Sequence, residues 1–342
     1  MSIFQERRVQ TSIGPIGFAG PSASSRIKGI ISGIASTKED LESRLCEVRK
    51  GALQLTLNPE SRKPMFKDKS RLTIRIVMDQ ALSKHLRKRL AEKAHEGIEI
   101  EAELPFKGER STKLVLVYLS YNDPSRKLDQ HQLADLYRKA VGYYKEASST
   151  RAKLTTILSE ARRKGYSFVT FNGPEYISVL GANSIRAEAL PALLSDVYKE
   201  YDIISAYRVV TAPENTITIA VKEGEVVGMS ILERDSIPHN GGEISIAEVT
   251  DGMVRPGHNG NNLYLATTSQ LIANAELPAD GIIFGEATFT HEAVPRAFAA
   301  LGADFRGILE RHLHINGRLT DFAVMQFGQE QLIRELALAI RN

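Results

Sequence analysis

The chain has 342 residues, is 42% hydrophobic and 25% charged, and carries a formal net charge of +3, proportions ordinary for a globular protein of two or three domains. No apolar run approaches the ~18 residues of a membrane helix, and "MSIFQERRVQTSIGPIGFAG" lacks the apolar core of a secretory signal. The single cysteine, Cys46, excludes an internal disulfide and a cysteine-based metal cluster, so a reducing cytoplasm is the expected setting, with no metal and no membrane partner.

Charge is unevenly spread. Residues 1–150 hold 27 Lys/Arg against 18 Asp/Glu, and the remainder carries the excess of acid. Two parts with different partners are expected. The basic part can meet nucleic acid, an acidic carrier protein, or the acidic part of its own chain.

Residues 1–35, rich in Ser, Gly and Ile with "GPIGFAGPSASS" as turn material, read as a loose arm. "STKEDLESRLCEVRKGALQL" reads as a helix, with Ser36 or Thr37 as cap and Leu41, Leu45 and Val48 at helical spacing. "NPESRKPMFKDKS" is a polar linker. "RLTIRIVM" alternates as a strand, and Asp79 caps a helix that ends by Gly97. Its run "KHLRKRLAEK" reads as a solvated face; without interleaved aromatics it does not resemble a single-strand nucleic-acid binder. "IEIEAEL" and "TKLVLVYLSY" alternate as paired strands, and "DQHQLADLYRKAVGYYKEAS" is a further helix. The division expected is 1–69 as arm and helix, 70–150 as a basic α+β domain, and 151–342 as a larger domain.

From 151 onward, helices are expected at "SSTRAKLTTILSEARRKGY" and "EALPALLSDVYKEYDI", the first followed by the strand "SFVTF". "TITIAVKEGEVVGMSILERD" is a hairpin turning at Glu223-Gly224-Glu225. The strand "EISIAEVTDGMV", the loop "RPGHNGNN" and a helix over 261–275 follow. Then come the strand "ADGIIFGEAT", the helix "HEAVPRAFAALG", an antiparallel pair "DFRGILERHLHI" and "RLTDFAVMQF", and a closing helix "QEQLIRELALAIRN". A mostly antiparallel sheet flanked by helices results.

The loop is the informative stretch. A helix start offers free N–H groups and a positive dipole end, and glycine lets an anion approach the backbone. Gly260, Asn261 and Asn262 are placed to offer their N–H groups to a phosphate. Such a loop also serves as an unliganded cap, so the pattern alone leaves both roles open.

The order of elements, "AEVTDGMVRPGHNGNNL", and "FAALGADFRGILERHLHINGRLTDFAVM" together resemble the GCN5-related N-acetyltransferase (GNAT) superfamily over residues 185–328. The match is nearest to bacterial β-lysine acetyltransferase-like members, with their A-E-x-T-D-x-x-x-x-P-x-x-R-G-x-G-L pattern. The resemblance implies an α+β class: a C-terminal GNAT fold beside a separate N-terminal α+β domain. The strand-helix-strand reading of residues 70–150 leaves open a degenerate second copy of the same fold. The resemblance also implies an acyl-CoA such as acetyl-CoA as donor and a small-molecule primary amine, an amino acid or diamine, as acceptor. Two positions depart from the pattern: Asn259 stands where Arg is usual and Asn262 where Gly is usual. The first loses a charge-assisted contact, which His258 or Arg255 can supply instead.

By the same resemblance, Glu248 and then Asp251 are the carboxylates expected to serve the amine. Met253 and Val254 are the main-chain donors to the thioester, and His258, Asn259, Gly260, Asn261, Asn262 and Leu263 form the pyrophosphate loop. Arg296 is a possible phosphate contact. In a regular strand Glu248 and Asp251 face opposite sides, and a bulge at Gly252 changes that. Glu286, Tyr264, His291, His312 and His314 are further polar candidates without an assigned role. The alternatives are acyl transfer from a carrier protein or aminoacyl-tRNA, and a non-catalytic binding module.

Overall fold

The computed structural model describes residues 7–11, 14–19, 26–35, 37–43, 45–46, 71–92, 98–106, 108, 113–122, 127–197, 203–274, 280–315 and 318–328. The closing helix expected at 329–342 lies outside them.

The strands expected from alternation all form. They are β4 (Arg71–Asp79), β5 (Ile98–Pro105), β6 (Leu114–Asn122), β7 (Ser167–Asn172), β8 (Asn215–Lys222), β9 (Glu225–His239), β10 (Gly242–Val254), β11 (Gly281–Thr288), β12 (Ala303–Ile315) and β13 (Arg318–Phe327). Three more lie in the segment read as a loose arm: β1 (Arg7–Thr11), β2 (Gly14–Ala19) and β3 (Arg26–Ala35). That expectation is corrected: β3 is held by a parallel ladder to β4, a long-range partner invisible to local turn signals.

The helices are α1 (Gln80–Glu92), α2 (Gln130–Ala152), α3 (Leu154–Arg163), α4 (Tyr176–Ala182), α5 (Ala189–Val197), α6 (Ile203–Thr211), α7 (Leu263–Asn274) and α8 (Ala293–Ala300). Residues 38–43 and 45–46 are also helical. Asp79 accepts from Ala81 N–H at 2.7 Å as expected of a cap, and Asp129 forms a full capping box with Gln132.

The described strands form one sheet in the order β1-β2-β3-β4-β6-β5-β12-β13-β11-β10-β9-β8-β7. The class is α+β with a mostly antiparallel sheet; β3∥β4 and β10∥β11 are its parallel pairs among the described residues. Alternation sends successive β10 and β11 side chains to opposite faces. Ala247, Val249, Ile283 and Ala287 join one core beneath α2, α3, α7 and α8. Ile246, Ile282 and Phe284 face the other way and pack on Val77, Leu104, Leu116 and Tyr118 of the N-terminal strands. The sheet thus curls until its two halves meet face to face. The N-terminal part also keeps a core of its own around Leu41, Met78, Leu82 and Val117.

Helix α2, which spans the expected boundary at 150, packs on the C-terminal core. The stripe Leu133, Leu136, Ala140, Tyr143, Ala147 seats α2 on the C-terminal core. Tyr144 Oη donates to Ala303 O at 2.8 Å, and Arg151 Nε to Ala300 O at 3.0 Å. The basic run on α1 is a paired surface: Arg87 with Glu103, Lys88 with Glu92, and Arg89 with Glu42.

Candidate functional site

The parallel ladder between β10 and β11 runs from Ser245↔Gly281 to Val249↔Gly285 and stops. Beyond it the strands part. β10 continues against β9 alone, with a bulge between Thr250 and Met253. Asp251 sits in this bulge at φ 44°, a conformation Asp tolerates better than most residues. Arg255 N–H donates to Val227 O at 2.8 Å, so by the alternation of an antiparallel ladder Val254 N–H turns away from β9, toward the opening. The same alternation directs Met253 N–H at β9, and the Met253 side chain is buried against α5 and α6.

Two aromatic rings floor the opening. A Cβ on Gly252 would overlap the Tyr264 ring, and one on Gly285 would overlap Phe298. The two rings lie 6.1 Å apart. Burial pushes the Tyr264 phenol above its ordinary value, with Thr268 offsetting part of the shift, so it stays neutral. Gly252→Ala is expected to cost about 1–3 kcal/mol, read by urea melts, because the Tyr264 ring must be displaced.

At the end of β10 the chain turns through Gly257 (φ 93°), Gly260 (φ 80°) and Asn262 (φ 54°) into α7. Asn262 thus fills a left-handed position where the resembled pattern has Gly, and Asn is among the side chains that accept it. Asn262 O accepts from Ala266 N–H at 2.9 Å, and Leu263 is buried as the first helical residue. Asn261 donates to His258 O at 3.0 Å and accepts from Lys164 Nζ at 3.0 Å. His258 Nδ1 lies 3.1 Å from Tyr166 Oη, and Lys222 Nζ stands 5.1 Å over the Tyr166 ring. Arg255 Nε is buried without a hydrogen-bond partner. Asn259 and Gly260 are exposed. Lys164 thus brings a cation to the helix-start loop through Asn261, and Lys222 stands behind it over the Tyr166 ring, while position 259 carries none. Lys164 and Tyr166 are functional candidates the linear reading missed. The signal for them was their place immediately before β7, the strand at the sheet edge.

The carboxylates lie elsewhere in the same neighbourhood. Glu248 is 6% exposed, and its Oε2 accepts from Arg75 Nη2 at 2.6 Å. The same Nη2 donates to Glu286 Oε1 at 2.9 Å. Tyr118 Oη donates to Glu286 Oε1 at 3.2 Å, and His312 Nε2 stands 3.1 Å from Glu286 Oε2. Arg75 lies against the rings of Tyr118 and Phe284, at 5.2 and 5.0 Å, the two rings meeting edge to face. Burial works against its charge, yet Glu248, Tyr118 and Glu286 raise its proton affinity well above the ordinary value, so it is permanently cationic. Burial likewise holds the Tyr118 phenol neutral.

The other candidates fall apart from these groups. Arg296 is tied to Glu146 at 2.9 Å and Glu292 at 3.1 Å, over the Tyr143 ring. His291 is exposed, and the side chain of His314 lies outside the described residues. Among the described residues no cluster of three or more His, Cys, Asp or Glu is placed to hold a metal. No described helix is long and apolar enough to cross a membrane.

No family model and no curated protein matches the chain. Solved structures similar to it include Arabidopsis thaliana NAA60 in complex with acetyl-CoA, at 12% identity and TM-score 0.35 over 47% of this chain and 97% of that one. The acetyltransferase yncA of Salmonella typhimurium with acetyl-CoA matches at 15% identity and TM-score 0.37, over 48% and 94%. An N-acetyltransferase from Staphylococcus aureus Mu50 matches at 10% identity and TM-score 0.35, over 48% and 97%.

Proposed function

We propose that this chain is an acyl-CoA-dependent N-acyltransferase of GNAT type acting on a primary amine of a small molecule such as an amino acid or diamine. The observation that carries the reading is the coincidence of three features at one end of β10. The parallel strands part, a strand N–H turns away from β9 toward the gap, and Lys164 reaches the loop at the following helix start.

Each feature fits one part of an acyl-CoA. The N–H groups at Gly260–Leu263, with Lys164, Lys222, Arg255 and His258 nearby, suit a diphosphate. The extended pantetheine arm matches the unpaired edge of β10, where Val254 N–H can hold the thioester carbonyl as charge develops on its oxygen. The amine nitrogen then attacks that carbon, the C–S bond breaks, and CoA leaves as a thiolate that takes up a proton. The amine must shed its own proton to a base. Of the two carboxylates expected for this, Glu248 lies within the paired β10–β11 ladder beside Arg75, and Asp251 lies on the bulge past the end of that ladder. Asp251 is therefore assigned as base or amine anchor, and Glu248 as part of the support behind it.

Lys164→Ala is expected to raise KM for acetyl-CoA about fivefold to tenfold while leaving kcat within about twofold, since one charge-assisted contact is lost in ground and transition states alike. Initial rates at varied acetyl-CoA test this. An unchanged KM would remove Lys164 from the donor site.

A further inference from the structure

The two parts of the sheet are built to one plan. From the outer edge inward, β8, β9 and β10 are joined by antiparallel pairing, β10 runs parallel to β11 across a helix, and a second helix leads to the β12/β13 hairpin, whose last strand pairs with β11. β1, β2 and β3 pair in the same way, β3 runs parallel to β4 with the helical residues 38–43 and 45–46 between them in the chain, and α1 leads to the β5/β6 hairpin, whose last strand pairs with β4.

The registers make the correspondence residue by residue. β5 bulges between Ile100 and Ala102 against β6, and β12 bulges between Phe305 and Gly307 against β13. The residues after the two bulges, Ala102 and Gly307, are the ones that pair across the join. Following the ladders outward, Ala102↔Tyr118↔Arg75 corresponds to Gly307↔Val324↔Glu286. Arg75 and Glu286 therefore hold equivalent positions, and they form an ion pair at 2.9 Å. A position that meets its own equivalent lies on a twofold axis. One ladder further, Lys28, opposite Thr73, stands where the other copy has Glu248, opposite Phe284.

We infer that residues 7–122 are a second copy of the 215–327 unit, fused to it as an internal dimer, and that this copy has given up its own donor cleft and serves the other through Arg75, a positioning residue for Glu248 and Glu286. Three differences support the loss. The β3∥β4 ladder resumes after its bulge at Ile34↔Val77 and Ala35↔Met78, whereas β10 and β11 stay apart past Val249↔Gly285. Only two residues, 36 and 37, separate the end of β3 from the helical residue 38, and neither is glycine. Lys28 and Arg75 replace both carboxylates. The positioning role rests on the acyltransferase reading; the internal dimer does not.

The test has two arms on the full-length chain. In the first, which needs no ligand, Arg75→Met is expected to lower the melting temperature by roughly 5–10 °C, and the triple Arg75→Met, Glu248→Gln, Glu286→Gln to regain more than half of that loss. Equal melting of single and triple variants would overturn the charge-complementary join. In the second, calorimetry with acetyl-CoA is expected to give one site per chain. With 1,5-diaminopentane as acceptor, Arg75→Gln should lower kcat on the order of tenfold or more at unchanged KM for acetyl-CoA, and Arg75→Lys should restore part of it. Two sites per chain would overturn the closed cleft. A folded Arg75→Gln variant with wild-type kcat would overturn the positioning role. Absence of acetyl-CoA binding would instead sink the acyltransferase reading, and the positioning role with it, while the first arm would still decide the charge-complementary join of the two copies.

Discussion

Asp251→Asn is expected to lower kcat by about 10²–10⁴-fold, the usual contribution of a positioned general base, with KM for acetyl-CoA little changed. Three residues separate Glu248 from Asp251, and in a regular strand they would face opposite sides. The bulge between Thr250 and Met253 inserts its extra residue just here, and Asp251 adopts φ 44° to make it. Its carboxylate thus belongs to the part of β10 that β11 no longer covers, one turn of chain before Val254 N–H. Asn keeps the size and tolerates the same φ, so the fold should survive while the proton acceptor is gone. Steady-state rates with a panel of primary amines check this; a variant within threefold of wild type would leave the carboxylate no part in proton transfer.

Replacing Arg75 with methionine is the change expected to cost most in stability, about 3–5 kcal/mol by urea denaturation. The guanidinium is 4% exposed and faces two carboxylates that are themselves buried. Forming such a cluster gains little net free energy, because each charge is stripped of water. Removing its cation is a different matter, since Glu248 and Glu286 would remain facing each other without compensation. Methionine retains most of the volume between Tyr118 and Phe284, which separates the charge effect from a cavity effect. Tyr118→Phe removes only one donor to Glu286, so its expected cost is about 0.5–1.5 kcal/mol.

The C-terminal elements were legible because each carries its signal locally. Short apolar runs between turn residues mark β10 to β13, Glu223-Gly224 marks the β8/β9 turn, and the glycine–asparagine run marks the start of α7. The N-terminal strands were not, because β1 to β3 are punctuated by turn-forming residues and owe their conformation to pairing, β3 with a strand that begins only at residue 71. The helix α6 was missed for a related reason: "IISAYRVV" is short, and its apolar face is defined by the core it meets around Ala206 and Val210.

The site divides the same way. The opening in the sheet follows from Gly252 and the loop, both visible in sequence. The partner of Glu248 does not, because Arg75 lies 173 positions away and reaches it only when the sheet curls. The excess of base in residues 1–150 was a trace of that pairing: of the three partners it allowed, the acidic part of the same chain is the one contacted by Arg75. Lys164, 95 positions upstream of Asn259 and just past the end of α3, likewise reaches the loop only through the fold, at Asn261.

The most direct test of the central claim is the melting temperature of the intact protein across a series of acetyl-CoA concentrations, up to roughly 1 mM, the upper end of common substrate constants. A ligand that binds the native state alone stabilises it by an amount that grows with concentration, about 2.7 kcal/mol at a hundredfold excess over Kd. The account predicts a progressive rise that is weakened by Lys164→Ala. A flat series at every concentration would mean that the opening between β10 and β11 holds no acyl-CoA.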